Sequence, residues 1–528
     1  MIDTAKLKEK ILDLAIRGKL VPQDPNDEPA SVLLEKIRAE KLQMVKEGKL
    51  KQKDIKDDTV IFVGEDNLHY EKFGDGSIKC IEDEIPFDIP KSWAWTRLGN
   101  VFQHNTGKAL NSSNSQGDFY SYITTSNVYW DKLDLRNVKE MLFTKEELDK
   151  YTLKKNDLLV CEGGDIGRAA IWDKDYEIRF QNHIHRLRPF LNLSIKFYYY
   201  VFYLYKHTGL IGGNGIGIQT LSSNKLDAIL LPITTLNEQY KIVESIESNI
   251  GYINNLEIDK KDLLESINSL KSKILDLAIR GKLVSQDPND EPADALLERI
   301  RKEKEELIKQ GKIKRDKKES IIFKGDDNSY YEKIGDNMLP MNHNLPFEIP
   351  NTWCWIRLKD ITSVIQNGAS IKQFKEASGI PITRIETIAS GDIDESRFGY
   401  ANIYDIAKYS SYVLEDKDIL MSHINSPKHL GKCALYTKKN PIIHGMNLLN
   451  IRLVNKNVAD FIYNYFLTNS FKMFIWENMK HSVNQASFNI SLIEKCFIPI
   501  PPLNEQKRII NKLNEIFSNA NQIEKSLN

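Results

Sequence analysis

The chain has 528 residues, with 73 Lys plus Arg set against 73 Asp plus Glu, so it carries no formal net charge with histidine neutral. That length exceeds one hydrophobic core, and two or more domains are expected. A content of 41% hydrophobic and 28% charged residues excludes a disordered or membrane-embedded chain. No apolar run is long enough to span a bilayer and the first residues lack a signal-peptide core, so a cytoplasmic location is expected. Cys80, Cys161, Cys354, Cys433 and Cys496 lie far apart without a CxxC pair, which argues against a disulfide framework or a cysteine metal site.

The first predicted element is an amphipathic helix with Leu7, Ile11 and Leu14 on one face, ending near Gly18. A turn from Gln23 to Pro29 follows, with Pro29 where a first helical turn tolerates proline. A second helix then runs through Leu33-Leu34-Glu35-Lys36-Ile37-Arg38, and the lysine-rich stretch Lys46 to Lys56 reads as solvated helix face and linker. Ile85-Pro86-Phe87-Asp88-Ile89-Pro90, with Trp93 and Trp95, opens a longer segment over roughly 91–235. Within it Asp157 to Val160 predicts a strand, Cys161 to Ile166 a turn, and Gly167 to Trp172 the returning strand. After Leu236-Asn237-Glu238-Gln239, with Asn237 as the expected N-cap, no proline occurs until Pro288. Core-type positions step by four and three through Ile242, Ile246, Asn249, Ile253, Leu256, Lys260, Leu263, Ile267, Leu270, Ile274 and Leu277. That seam predicts a coiled-coil helix of about 70 Å.

From here the chain repeats itself. Ile11 to Val21 recurs unchanged as Ile274 to Val284; the Ile85 block returns as Leu345 to Pro350 with Trp353 and Trp355; Leu236 to Gln239 returns as Leu503 to Gln506. Two units of about half the chain each are implied. Lys302 to Lys318 repeats the lysine-rich closure. The segments between the shared blocks, roughly 91–235 and 351–500, differ far more, so a common frame carries two unlike inserts, and variable segments tend to carry binding function. In the second insert Asp418 to Met421 and Gly431 to Tyr436 match the first insert's strands, while the turn lengthens to Ser422 to Leu430. The last predicted element is a helix with Ile509, Leu513, Ile516, Ala520, Ile523 and Leu527, completed in the repeat frame by Leu7, Ile11 and Leu14.

A constant scaffold with an exchanged loop suits a reader of base edges, which differ in the donors and acceptors they present. The candidate contacts in the first insert are Lys108, Asn111, Gly163, Gly164, Asp165, Arg168, Gln181, Asn182, His183, Arg186 and Gln219, with His185 and Arg188 in the same cluster. In the second they are Lys372, Arg384, His423, Asn425, Lys428, Lys432, Asn447, Asn484 and Gln485, with His444 and His481 nearby. Arg suits guanine, Asn or Gln adenine, and Lys phosphate. The chain has no Asn-Pro-Pro-Tyr-like motif, no GxGxxG after a strand and no Walker lysine. His183 and His185 lack a carboxylate-bearing metal frame, so no metal site and no catalytic residue are expected. A two-headed coiled-coil scaffold that binds proteins without DNA specificity is the competing reading.

Two divergent inserts on a duplicated helical frame, each followed by a proline-rich strand end and Leu-Asn-Glu-Gln, resemble the DNA-specificity subunit of type I restriction-modification systems. The Trp93/Trp95 and Trp353/Trp355 blocks and the Gly163 to Gly167 turn are similar to that family's target-recognition domains, though the second insert has Asn425-Ser426-Pro427 in place of Gly-Gly. The resemblance implies an α+β chain with two mixed α/β target-recognition domains, 91–235 and 351–500, held apart by an antiparallel coiled-coil helix pair in a pseudo-twofold arrangement. The frame comprises 1–90, 236–350 and 501–528. Subunit contact would involve Ile242, Ile246, Ile253, Leu256, Leu263, Ile267, Leu270, Ile274, Ile509, Leu513, Ile516 and Ile523. It also implies a non-catalytic subunit that binds double-stranded DNA, two modification subunits and motor-nuclease restriction subunits, with S-adenosylmethionine, ATP and Mg on those partners and no membrane involvement.

Neutral charge overall does not oppose DNA binding once it is divided. Residues 91–230 hold 18 basic and 14 acidic side chains and residues 351–497 hold 17 and 13, a surplus of four in each insert. The remainder, mainly frame, carries a deficit of eight.

Overall fold

The computed structural model describes residues 3–56, 58–110, 116–211, 221–316, 319–341, 345–374, 379–402, 406–438, 440–482 and 485–527. The chain is mixed α/β and divides into two compact units, residues 2–259 and residues 260–528. No described helix is long and apolar enough to cross a membrane.

In the first unit the helix Thr4–Ile16 ends at Gly18, whose φ of 65° supplies the left-handed residue that closes a helix C-terminus. A Cβ added there would lie 2.4 Å from the Pro90 ring and 3.1 Å from Trp93, so glycine is needed for the close approach as well as for the turn. Trp93 donates its indole N–H to Glu238 Oε2 at 3.0 Å, and Gln23 Nε2 donates to Glu238 Oε1 at 2.5 Å. The hydroxyl of Thr234 adds a third donor. Glu238 is 4% exposed, and a buried carboxylate is tolerable only with such a set of donors. The neighbouring Gln239 donates to Thr234 O and accepts from Ser194 N. The Gln23 turn, the Trp93 block and the Leu-Asn-Glu-Gln motif thus meet in one knot.

The second unit builds the same knot. At Gly281, φ 67°, an added Cβ would likewise lie 2.4 Å from the Pro350 ring and 3.1 Å from Trp353. Trp353 donates to Glu505 Oε2 at 3.0 Å and Gln286 to Glu505 Oε1 at 2.5 Å. Pro501 stands where the first unit has Thr234, so this carboxylate has one donor fewer, and burial pushes the pKa of Glu505 up. Beside each knot an arginine lies over a phenylalanine, Arg17 on Phe87 at 4.8 Å and Arg280 on Phe347 at 4.6 Å.

Beyond each lysine-rich stretch the chain forms a small sheet that the sequence reading did not anticipate. Strands Val60–Val63, His69–Lys72 and Ile78–Cys80 form an antiparallel meander, as do Ser320–Lys324, Tyr330–Ile334 and Asn337–Pro340. Each is fastened through its middle strand by a bidentate ion pair, Glu71 with Arg97 and Glu332 with Arg357. Each insert carries a four-stranded antiparallel sheet of the same order. In the first, Phe102–Thr106, Ile184–Pro189, Leu158–Cys161 and Ala169–Ile171 lie side by side; in the second, Thr362–Asn367, Leu448–Leu453, Ile419–Ser422 and Cys433–Leu435 do so. The inner strand pairs are locked by matching salt bridges, Arg188 to Asp157 and Arg452 to Asp418, each with an Nη2 contact of 2.7 Å.

The long helix Leu236–Ile279 has 44 residues, about 66 Å at 1.5 Å per residue. Its N-cap is Thr235 and not Asn237, because the Thr235 hydroxyl accepts the Glu238 N–H at 3.2 Å. Of the predicted seam, Ile242, Ile246, Ile253 and Ile267 are buried, and Ile274 is half-buried. Ile509 and Leu513 are also buried and Ile516 half-buried. Leu256, Leu263, Leu270 and Ile523 are instead 52%, 43%, 47% and 47% exposed. The reason is reach. In the first unit the helix Thr4–Ile16 starts opposite residue 257, where Lys8 meets Glu257 at 3.4 Å. In the second unit the helix Leu503–Leu527 ends opposite residue 271, where Glu524 meets Lys271 at 2.8 Å. Leu263 lies between those levels, past both short helices, while Leu256, Leu270 and Ile523 sit beside the short helices' ends.

A position near the start of each insert also differs between the units. Asn100 in the first donates its Nδ2 to Thr59 O at 3.0 Å. The second has Asp360 there, accepting from Ser320 Oγ at 3.1 Å, and burial pushes its carboxyl up to about 6. The folded chain therefore holds that proton more tightly than the unfolded chain, and folding becomes less favourable as pH rises from about 4 to about 6. Asp360→Asn, which installs the first unit's residue, is expected to raise the second unit's stability at pH 7 by about 1–3 kcal/mol. The gain should vanish at pH 4, as urea unfolding at the two pH values would measure.

Candidate nucleic-acid interface

At one end of the first insert's sheet three segments converge. Lys108 bridges Gln181, Asn182 N donates to Lys108 O at 3.0 Å, and Glu162 N donates to His183 O at 2.9 Å. The turn 162–167 and the turn 181–183 therefore lie side by side. Gly164, Asp165 and His183 are exposed, and Gly163, Gln181 and Asn182 are half-buried. Asp165 is held by Lys206 at 2.9 Å and by Arg168 at 3.8 Å. Arg168 in turn donates to Thr125 O at 2.7 Å and lies over the Tyr129 ring at 5.0 Å. This turn is a fixed shape carrying backbone amides and an acid, with its arginine turned back to brace it.

Two candidates of this insert point inward. Lys108, 7% exposed, donates to Leu142 O at 2.8 Å and pairs with Glu147 at 2.5 Å. Arg186, 2% exposed, donates to Lys150 O at 3.1 Å and Thr152 O at 3.0 Å and reaches the Asn105 side chain. Burial lowers its pKa to about 10. Both join the sheet to the helix Lys145–Tyr151. Asn111 and Gln219 fall outside the described residues.

Behind the tip is a row of polar contacts. His104 Nδ1 meets Asp227 Oδ1 at 2.9 Å, His104 Nε2 meets His185 Nδ1 at 2.7 Å, and His185 Nε2 meets Leu221 O at 2.7 Å. A carbonyl accepts only, so His185 carries its hydrogen on Nε2, and a neutral His185 then accepts at Nδ1 from His104. Burial pushes the pKa of His185 down to about 4, with His104 adding to the shift. The row ties Leu221 to the sheet behind the tip.

The second insert places its segments at the equivalent end. Ala369 bridges Gly445 as Lys108 bridges Gln181, so Gly445-Met446-Asn447 replaces Gln181-Asn182-His183. A Cβ on Gly445 would lie 2.2 Å from Thr383 O, so no side chain fits where the first insert has Gln181. Met446, 52% exposed, and exposed Asn447 form the tip. Arg384, Met446 and Asn447 line one cleft with Ser370 and Gln373. Asn425 and Lys432 line a second, and the two share Ile385 and Glu386. Lys432 is anchored to Ala389 O at 3.1 Å, and Asn425 Nδ2 reaches Ser422 Oγ at 3.3 Å. Lys428 is exposed on the short turn Pro427–His429, and Lys372 is exposed with its ammonium 5.4 Å from the Phe374 ring. His423 is 5% exposed and packs against Phe488, so it lines the interior of this tip. Asn484 lies outside the described residues, and Gln485 is described only as part of the strand Gln485–Ser487.

Residues 90–273 and 350–528 match the type I restriction modification DNA specificity domain. The chain belongs to that family. Among its relatives, the type I restriction enzyme EcoAI specificity subunit of Escherichia coli is 28% identical, over 98% of this chain and 90% of its own length. The EcoEI specificity subunit of the same species is 25% identical, over 99% of this chain and 90% of its own. The fold is similar to that of the HsdS subunit from Thermoanaerobacter tengcongensis, with a TM-score of 0.51 at 14% identity, covering 84% of this chain and 94% of that one. A second structure, titled for complex assembly and conformational transition of the type I R-M system, gives a TM-score of 0.52 at 15% identity, with the same coverage.

Lys206, Tyr129 and Met446 were not among the sequence-derived candidates. Lys206 and Tyr129 act through residues that were, and Met446 emerges only when the two sheets are aligned through Lys108 and Ala369. His185 supplies a test of the row behind the first tip. Its depressed pKa means that its contribution to stability is complete above about pH 6.5 and is lost as pH falls from there toward 4. A histidine-labelled NMR titration is expected to show its ring neutral down to about pH 5; a midpoint near the ordinary histidine value would contradict the arrangement.

Proposed function

We propose that the chain is the non-catalytic DNA-specificity subunit of a type I restriction-modification complex, and that its two inserts each read one half of an interrupted, asymmetric target. The observation that carries this reading is the pairing of two near-identical frames with two unlike tips at the same end of matching sheets. In the first, Gly163, Gly164, Asp165, Gln181, Asn182 and His183 would face the bases with amides and a carboxylate. In the second, Arg384, Asn425, Lys432 and Asn447 would do so beside the apolar Met446, with Lys372 and Lys428 toward phosphate. Lys108, Arg168, Arg186 and His423 would hold the reading surfaces in shape.

The long helix, with the helix Thr4–Ile16 toward one end and the helix Leu503–Leu527 toward the other, would form an antiparallel coiled coil that sets the spacer between half-sites. Half-site spacing is a geometric consequence of such a frame. Two modification subunits using S-adenosylmethionine would dock on the acidic frame, and restriction subunits dependent on ATP and Mg would join for cleavage. The surplus of four positive charges in each insert supports DNA on the inserts.

Exchanging residues 91–235 for another family member's insert is expected to change one half-site of the methylation pattern and leave the other; an unaltered pattern in methylome sequencing would remove the basis of the reading. Adding one heptad near Lys260 is expected to lengthen the spacer while both half-sites persist. The original spacer in the same measurement would rule out the helix as the ruler.

A further inference from the structure

The two meanders lie outside both matched specificity-domain segments. The inner face of each packs on its own unit through the Glu71 to Arg97 and Glu332 to Arg357 pairs. The outer face of an antiparallel sheet in water is ordinarily polar, yet here it is apolar twice over. Strand register aligns Val60 with Lys72 and Ile78, and Phe62 with Tyr70 and Cys80. In the second unit the same rows are Ile321, Lys333 and Met338, and Phe323, Tyr331 and Pro340. Val60, Ile78, Ile321 and Met338 are 47%, 57%, 42% and 59% exposed.

Each face has a preset aromatic centre. Phe62 stacks on Tyr70 and Phe323 on Tyr331, both with centroids 5.9 Å apart and planes at 26°. Each tyrosine hydroxyl donates to an aspartate of its own hairpin, Tyr70 to Asp66 at 2.7 Å and Tyr331 to Asp327 at 2.8 Å. An aromatic pair held in place loses little freedom on binding, which is the property of an interface anchor. Around it the hairpin turns present exposed acids at matching positions, Glu65, Asp66 and Asp75 in one unit and Asp326, Asp327 and Asp336 in the other. Such a rim repels phosphate and selects a basic surface.

We infer that each meander is a docking face for one copy of a protein subunit that presents an apolar patch ringed by lysine and arginine. Resting on the function proposed above, that subunit is the modification subunit. Two faces of one chemistry within one chain fit a partner present twice, and the acidic rims set these faces apart from the cationic inserts. Lys72 and Lys333, alike in both, would meet a carboxylate within the partner's patch.

The test uses the full chain purified with the modification subunit. In the complex, Cys80, an exposed thiol on the first face, is expected to be protected from maleimide at least tenfold relative to the chain alone, as is a cysteine introduced by Met338→Cys on the second. Native mass spectrometry of Phe62→Asp should show one modification subunit in place of two, and Phe62→Asp with Phe323→Asp none, while Phe62→Tyr retains both. Equal labelling of Cys80 in the presence and absence of the partner overturns the proposal, even if an aspartate variant unfolds. So do two modification subunits retained by the double variant, with target-specific methylation intact, which leaves the DNA-specificity reading standing. Loss of self-association in place of partner binding would assign the faces to a second copy of this chain and also overturn it. Failure of the unaltered chain to retain any modification subunit overturns both this proposal and the function on which it rests.

Discussion

The structure depends on two buried carboxylates. Glu238 and Glu505 sit where the long and C-terminal helices begin, and each is made tolerable by an indole N–H and a glutamine side chain drawn from distant parts of the sequence. Removing one donor from such a group leaves a buried charge underbonded, at a cost of about 1–3 kcal/mol or more. The three donors and acceptors fix three chain segments at one point: the end of the helix before Gly18 or Gly281, the entry to the insert at Trp93 or Trp353, and its exit into Leu-Asn-Glu-Gln. Both ends of each insert are therefore clamped together, whatever lies between them.

That clamp explains how the inserts can differ so widely. The sheets keep their order and their Arg188 to Asp157 and Arg452 to Asp418 bridges, while the tips change from Gln181-Asn182-His183 to Gly445-Met446-Asn447. The interior accommodates each change locally. Where Lys108 is neutralised by Glu147, the second insert has Ala369; where His185 needs His104 and Leu221, it has Leu449 on the strand paired with Thr362–Asn367. Lys108 with Glu147, and His185 with His104 and Leu221, are each satisfied within the first insert.

Much of this was legible in the sequence because the repeat aligned it. The shared blocks, the strand pairs around the two turns and the existence of the long central helix, though not its N-cap, follow from residue identity and period alone. What the pattern omitted was direction and reach. Periodicity names the face of Leu256, Leu263 and Leu270, but not whether a second helix extends that far, and two short helices leave them exposed. Lys108 and Arg186 have the chemistry of DNA contacts, but only packing reveals that they point at carbonyls of their own domain. The meanders escaped notice because their strands of three to five residues are embedded in charged sequence, where alternation is too short to separate from a linker. The purpose of Gln23 or Glu238 could not be read from either motif singly, since each is half of a contact spanning 215 residues.

Because the tryptophan, glutamine and glutamate of each knot come from blocks common to both halves, the two seats are chemically almost interchangeable. An insert moved from one half of the chain to the other would find the same tryptophan, glutamine and glutamate waiting for its ends. The seats differ mainly at Thr234 and Pro501, where one offers the carboxylate an extra hydroxyl. A gene encoding such a chain can acquire a new combination of tips by recombination at the repeated blocks, without first evolving a new fold to hold them.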